Sequence, residues 1–243
     1  MLYILNYNIL MGIVLSIKYK YIALFLGISG LIFGYTLHDS KIDNAIKYKL
    51  DLHDNEIGNY YESLLNIQLR QDLQVSDGSV VMIGDSHTQG IIYPRFINYG
   101  IGSDTTFGVI NRINKYDSLK NAKHVVLMIG VNDLRRRSNA EIEENYIKIL
   151  SMVPNEKLIV FSVLPVGKML ESKNSKISNL RIMQLNKKIS LICKNKGIRY
   201  IDIYASYINE HGYLDDKLHV GDGIHLNEFG YQIWKKHLDK IPS

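Results

Sequence analysis

An apolar run that stops at a glycine constrains this chain more than any other stretch: Val80-Val81-Met82-Ile83, then Gly84-Asp85-Ser86, then a second glycine at Gly90. Four consecutive apolar residues, two of them β-branched valines, read as a strand buried on both faces, as in parallel sheets. Gly-Asp-Ser reads as a sharp turn leading into a helix. A turn at the carboxyl end of a strand is where open α/β sheets hold their ligands. It would lift the Ser86 hydroxyl off the sheet edge beside unpaired backbone N–H groups. The plainer alternative is a strand-to-helix turn in which Asp85 or Ser86 only caps the helix. Three later segments favour chemistry.

After Gly90, apolar runs and helical patterns alternate. Strands are expected over 96–101, 123–129, 157–164 and 199–204. Helices are expected over 105–116, 139–152, 177–196 (ended by Gly197, a residue suited to a left-handed C-cap) and 228–238. With the first strand this makes about five strands joined by helical crossovers. The expected fold class is therefore α/β, a doubly wound parallel sheet of flavodoxin-like order. Neither internal repeats nor low-complexity tracts interrupt it.

The amino-terminal third reads differently. Residues 21–37 carry no charge, and their length sits near the lower limit for a membrane-spanning helix, about 17 residues. Lys18 and Lys20 precede the run, and Asp39, Lys41 and Asp43 follow it. The positive-inside rule then places the amino terminus in the cytoplasm and everything beyond His38 on the periplasmic or extracellular side. A second apolar run, 2–17, is separated from it only by Lys18-Tyr19-Lys20, too little chain to turn between two spans. Met11 is an alternative start. A cleavable signal peptide is the rival, but the run ends without a small-x-small site. Residues 41–74 are polar, charged and free of proline, with Ile42, Ile46, Leu50, Ile57, Leu64, Leu65 and Leu69 near helical spacing. They read as one or two helices, interrupted near Asn55 and Gly58, forming a stalk that leans on the domain or pairs with another copy. The expected organisation is leader and anchor over 1–38, stalk over 39–75, and a catalytic domain over 76–243. A fragment from about Ser76 is expected to carry the activity.

Composition excludes several classes. Of 243 residues, 46% are hydrophobic and 22% charged, which describes a foldable globular chain. A net charge of +5, spread over scattered lysines, does not argue for nucleic-acid binding. The single cysteine, Cys193, rules out an intramolecular disulfide and a cysteine metal cluster, and suits a buried helix position. His, Asp and Glu show no metal-ligand spacing, so neither metal nor cofactor is expected.

Four loops lie at or beyond strand ends: Gly84-Asp85-Ser86, Asn98 to Thr105, Ile129 to Asp133, and Asp222 to Asn227. In this topology all four meet at one sheet edge. A serine nucleophile needs a base, a group that orients the base, and donors for an oxyanion. Ser86 supplies the hydroxyl and His225 the base. Asp222, three residues earlier across Gly223, reaches the other ring nitrogen. Asn132 offers a side-chain amide, and the glycine-rich 100–103 stretch offers backbone N–H groups. Every role needed for acyl transfer is filled. Other groups near these loops read more simply. His87 is a weak rival base, His219 lines the pocket or lies on the surface, Asp85 holds its turn, and Asp133 fixes the Asn132 loop. Arg135-Arg136-Arg137 reads as a solvated helix entrance or as a site for an anionic substrate. Tyr93, Phe107, Leu164 and Met169 are candidate walls of an acyl pocket or plain core.

Gly84-Asp85-Ser86…Gly90, Asn98-x-Gly100-x-Gly102, Gly130-x-Asn132-Asp133 and Asp222-x-x-His225 resemble the four blocks of the SGNH hydrolases, also called GDSL lipases/esterases. The likeness runs from about Ser79 to the carboxyl terminus. It implies Ser86 as nucleophile, Asp222 and His225 as its partners, and an oxyanion hole from Asn132, the Ser86 N–H and the Gly102–Ser103 turn. In many members a glycine stands where this chain has Ser103. The position acts through its N–H, so a serine is tolerable, and which amide faces the oxyanion stays open. The resemblance implies an acyl-ester substrate and no cofactor. With the outward placement it suggests removal of small acyl groups, acetyl first, from an envelope or extracellular glycan. The alternatives are a glycan O-acyltransferase, a lysophospholipase or thioesterase, and a catalytically silent membrane-tethered binding module.

Overall fold

A computed structural model of the chain describes residues 55–173 and 176–242. The expected membrane span, 21–37, and the first part of the expected stalk lie outside the described residues. Among the described residues no helix is long and apolar enough to cross a membrane.

The first described element is helix α1 (Asn55–Asp72), followed by β1 (Val80–Gly84), the short α2 (Ser86–Gly90) and β2 (Ile97–Gly100). Next come α3 (Thr106–Arg112), β3 (His124–Met128), α4 (Asn139–Leu150) and β4 (Leu158–Phe161). The chain closes with α5 (Lys168–Lys173), α6 (Asn179–Lys196), β5 (Arg199–Ile201) and α7 (Glu228–Leu238). The five strands are all parallel in the order β2-β1-β3-β4-β5, the expected flavodoxin-like arrangement. The strand order reverses between β1 and β3, and β1 leads straight into Ser86, so the serine sits at the crevice where such sheets bind ligands.

The pleat divides the core. Val81, Ile83, Val125, Leu127, Leu158 and Val160 face one layer with α1, α3, α4 and α6, through Leu65, Val109, Tyr146 and Leu185 among others. Val80, Met82, Val126, Met128, Ile159 and Phe161 face the other, against Trp234 and Leu238 of α7. Alternate residues of each strand thus serve opposite faces, and because both are covered the central strands β1 and β4, and β3 after His124, are apolar. Cys193 is buried in α6 as expected, and Gly197 closes that helix with φ 69°.

Two strands end sooner than their apolar runs. The 157–164 run stays in the sheet only to Phe161 because buried amides replace the missing strand partner. Asn186 pairs with both N–H and C=O of Val163 at 2.8 Å, and Asn179 does the same for Val166 at 2.9 and 2.8 Å. The last strand stops at Ile201, where Ser162 Oγ takes the Ile203 N–H at 2.9 Å and the chain turns.

The region before β1 departs most from expectation. The chain from His53 onward forms one compact unit, so the domain does not begin at Ser76. Helix α1 runs through Gly58 without a break and buries Leu65, Gln68 and Asp72. Gln68 donates to the Gly100 carbonyl at 2.9 Å and accepts from the Tyr116 hydroxyl at 2.6 Å. Asp72 accepts from Tyr99 at 2.7 Å and from the Ser118 N–H at 3.1 Å. Tyr99 and Tyr116 stack with centroids 4.3 Å apart. Of the two expectations for the stalk, this part leans on the domain, and it does so as a core helix keyed to β2.

Candidate active site

Glycines place the turn that carries Ser86. A Cβ on Gly84 would meet Thr88 Oγ1 at 2.1 Å and the Met128 carbonyl at 2.2 Å, and one on Gly100 would meet the Gln89 backbone nitrogen at 2.2 Å. Only bare backbone at these two positions lets α2 lie against the ends of β1 and β2. Asp85 caps α2, its side chain accepting the His87 N–H at 3.0 Å. Asn98 latches the turn from β2, donating to the Thr88 carbonyl at 2.7 Å and accepting from the Gly100 N–H at 2.9 Å. Ser86 is the first residue of α2, so its N–H has no intrahelical partner.

Ser86, His225 and Asp222 form one hydrogen-bonded chain. Ser86 Oγ lies 3.1 Å from His225 Nε2, and His225 Nδ1 lies 2.6 Å from Asp222 Oδ2. The other carboxylate oxygen accepts the backbone N–H of Ile224 at 3.0 Å and of His225 at 2.9 Å. Partial burial pushes Asp222 upward, but these donors outweigh it and hold its pKa at about 2. A carboxylate with so low a pKa is an acceptor only, so His225 carries its proton on Nδ1 and leaves Nε2 to accept from the serine. The histidine and aspartate side chains are 49% and 41% exposed, so the pair is open to a bulky substrate.

The Asp222–His225 loop is braced from behind. Gly223 has φ 79°, and its carbonyl accepts the Gly167 N–H at 2.7 Å. His219 is buried under the loop. Its Nδ1 accepts the N–H groups of Gly221 (2.9 Å) and Gly223 (3.2 Å), and its Nε2 faces Asp216 at 3.2 Å. His219 thus shapes the loop from beneath. Beside it, a cleft of about 520 Å³ is lined by Lys168, Met169, Ser172, His219 and Gly223.

Across the site, Ser103 adopts φ 62°, the left-handed conformation that favours glycine. This conformation accounts for the glycine that many members of the resembling family carry at this position, and this chain holds it with a serine. The N–H groups of Gly102 and Ser103 have no partner among the described residues. Asn132 uses one amide N–H to hold the Asp104 carbonyl at 3.0 Å, which leaves its second donor. Asp133 accepts from the hydroxyl (2.6 Å) and N–H (2.9 Å) of Thr106, fixing the Asn132 loop as expected.

The other candidates are placed as follows. His87 is buried with its ring towards Asp85 and Ile224, so it is no rival base for Ser86. Arg137 pairs with Asp133 at 3.3 Å and lies over the Phe107 ring, while its carbonyl is held by Arg181 at 2.8 Å. Tyr93 bonds Asp239 at 2.6 Å, and Leu164 belongs to the α7 core. Met169 lines the cleft beside the Asp222–His225 loop. Among the described residues no group of three or more His, Cys, Asp or Glu is gathered for a metal ion.

Sequence reasoning missed three supports. Arg112 is buried and joins Asp104 (2.8 Å) to the Gly84 carbonyl (3.1 Å), tying the Gly102–Ser103 turn to β1. Tyr60 and Gln89 meet over Gly102, where an added Cβ would lie 2.9 Å from Gln89 Oε1 and 3.9 Å from the tyrosine ring. Gln68 and Asp72 carried a signal: polar residues on the Leu65 stripe of a helix.

Comparison with known proteins points to one family. The family model of the GDSL-like lipase/acylhydrolase family matches residues 82–233. One similar solved structure is described as a platelet activating factor from Streptococcus pneumonia (21% identity, TM-score 0.68, covering 78% of this chain and 96% of that one). Another is a GDSL-like lipase from Bacteroides thetaiotaomicron VPI-5482 (19%, TM-score 0.63, 72% and 95%). A third is the acetyl xylan esterase AlAXEase (20%, TM-score 0.53, 67% and 100%). At these identities the likeness speaks for the fold. No curated protein matches the chain.

Proposed function

The chain belongs to the GDSL-like lipase/acylhydrolase family and is a hydrolase of that type, and from this premise we propose that it is a serine esterase working through an acyl-enzyme on Ser86. The observation that carries the reading is the run of two contacts, 3.1 Å from Ser86 Oγ to His225 Nε2 and 2.6 Å from His225 Nδ1 to Asp222. Ser86 Oγ attacks the ester carbonyl while Nε2 takes its proton. The negative charge that develops on the carbonyl oxygen is met by the Ser86 N–H, the Gly102–Ser103 amides and the second N–H of Asn132. The imidazolium, steadied by Asp222, returns its proton to the departing alcohol. Water then attacks the acyl-serine with His225 again as base, releasing the acid and restoring the serine.

The substrate we propose is a small acyl ester, acetyl first, on a glycan of the cell envelope or exterior. Two things support it: the half-exposed histidine and aspartate, which admit a bulky alcohol, and the likeness to an acetyl xylan esterase. The same openness would let a sugar hydroxyl take the place of water, which makes an O-acyltransferase the second reading. The proposed setting is a single-pass anchor at 21–37 with the catalytic domain outside, supported by the uncharged run and the lysines ahead of it. The test is a fluorophosphonate probe with a panel of esters from acetyl to long chain. Labelling of Ser86 and a preference for acetyl are expected. Labelling that survives Ser86→Ala would overturn the assignment.

A further inference from the structure

His87 follows the nucleophile directly, yet its imidazole is 3% exposed and turned away from the serine. Its Nε2 lies 2.8 Å from the backbone carbonyl of Ile224, and its Nδ1 lies 3.3 Å from Asp85 Oδ1. Ile224 directly precedes His225. Two bridges therefore run side by side between the nucleophile turn and the base loop. Ser86 to His225 carries the chemistry, and His87 to Ile224, one residue along on either side, sets the spacing.

We infer that His87 is a positioning residue for this reaction, an imidazolium that donates from both ring nitrogens and holds the Ser86 turn against the loop that carries His225. The inference rests on the reading of Ser86 and His225 given above. The protonation follows from the partners. A carbonyl oxygen only accepts, so Nε2 must carry hydrogen. Asp85 Oδ1 already accepts the His87 backbone N–H at 3.0 Å, so it stands as an acceptor towards Nδ1 as well. A ring facing two acceptors needs both of its protons.

The titratable groups around the ring are Asp85 at its own turn, Asp222 and His225 on the facing loop, and Tyr231 of α7. The Tyr231 hydroxyl donates to the His87 carbonyl at 3.2 Å, and the His225 ring centroid is 6.3 Å away. Burial pulls the His87 pKa down, but the Asp85 hydrogen bond and charge, the Ile224 carbonyl and Asp222 outweigh it and raise it above the ordinary histidine value. A raised value in the folded state sets the sign. The double tie is complete below the ordinary histidine pKa of about 6.5 and is lost as pH rises through the higher folded value. The proton leaves Nδ1, whose lone pair then faces Asp85. The Nε2 bond to Ile224 remains, so the turn loosens without the loop detaching.

This reading predicts an alkaline decline in turnover that belongs to His87. The test uses the full chain and p-nitrophenyl acetate, comparing wild type with His87→Gln and His87→Leu across pH. His87→Gln keeps a neutral donor for the Ile224 carbonyl, so it should retain most of its kcat at neutral pH and lose the alkaline decline. His87→Leu should lower kcat by roughly ten- to a hundredfold, the scale of a misplaced catalytic pair, with KM little changed. Nitrogen NMR of ring-labelled histidine should find both His87 nitrogens protonated at neutral pH. A leucine variant with wild-type kcat, a glutamine variant that keeps the alkaline decline, or a neutral His87 ring at neutral pH would each overturn the inference. Failure of the wild type to hydrolyse esters or to label at Ser86 would instead remove the proposed function. The NMR measurement tests the ring either way, even if the leucine variant does not fold.

Discussion

Gln89, three residues after Ser86, donates a hydrogen bond at 2.5 Å to the hydroxyl of Tyr60. One partner lies in the nucleophile helix, the other in α1, which precedes the stretch matched by the family model. The bond brings a helix from outside that match to the rim of the Gly102–Ser103 turn. With Gln68 and Asp72 it makes α1 part of the catalytic body.

A fragment starting at Ser76 should therefore fail where one starting at His53 succeeds. Removing α1 uncovers the Leu65 contacts and leaves Tyr99, Tyr116 and the Gly100 carbonyl without their buried partners. Thermal melts of the two fragments check this directly. Within the longer one, Leu65→Ala should cost about 2–5 kcal/mol, the usual range for a buried leucine.

Ser86→Ala and His225→Ala should each lower kcat by several orders of magnitude, and the double variant should be little worse than either, because the two act as a unit. Asn132→Ala should lower kcat by roughly a hundredfold through the lost oxyanion donor. Kinetics on p-nitrophenyl acetate read all four, and an intact kcat in Asn132→Ala would remove that residue from the oxyanion hole.

Asp222, held at about pH 2, stays ionised wherever the protein works. Asp222 is therefore not the source of any decline in turnover at mildly acid pH. The stability that Asp222 contributes has the sign of a lowered carboxylate. It is fully present above the unfolded value of about 3.9 and is lost as pH falls through about 2. Acid unfolding of wild type and Asp222→Asn should differ at pH 5 and converge towards pH 2.

At Ser103 the left-handed backbone should be relieved by glycine. Ser103→Gly should be as stable as wild type or gain up to about 1 kcal/mol, with kcat unchanged because the N–H remains. Ser103→Pro removes that N–H and forces φ negative, and it should abolish turnover. A fully active proline variant would assign the oxyanion contact to Gly102.

Arg112→Leu would leave Asp104 buried without its cation, so a loss of about 3–5 kcal/mol in chemical denaturation is expected.

Much of this was legible in the sequence, for a physical reason. A parallel sheet covered on both faces needs unbroken apolar strands at its centre, so runs such as Val80–Ile83 and Val125–Ile129 mark themselves. The chemistry sits in loops that follow those strands, so Ser86, Asn132, Asp222 and His225 were visible as residues in order. Strand ends were less legible, because Asn179 and Asn186 satisfy the backbone at Val163 and Val166 from a distant helix. Helix α1 was misjudged because its buried face carries Gln68 and Asp72. Polar residues at core positions look like a solvated stripe until their partners Gly100, Tyr116, Tyr99 and Ser118 are known. His87 and Arg112 were hidden likewise, their partners being a carbonyl at Ile224 and a carboxylate at Asp104.

Helix α1 runs opposite to the strands, from the Tyr60–Gly102 contact at the catalytic edge to the Asp72–Ser118 contact near the foot of β1. Asn55 therefore lies only about 7–8 Å of helix axis ahead of Tyr60. Whatever secures the chain ahead of Asn55 also limits how far the site can travel. With residues 21–37 fixed in a membrane, as proposed above, the 17 residues from 38 to 54 extend at most about 60 Å. The enzyme would then work as a short-leashed esterase, its reach set by the leash. Acyl groups within that layer would be cleared, while the same ester on a polymer free in solution would be met only when it drifted in. Lengthening the 38–54 segment should widen the zone of deacylation without changing kcat.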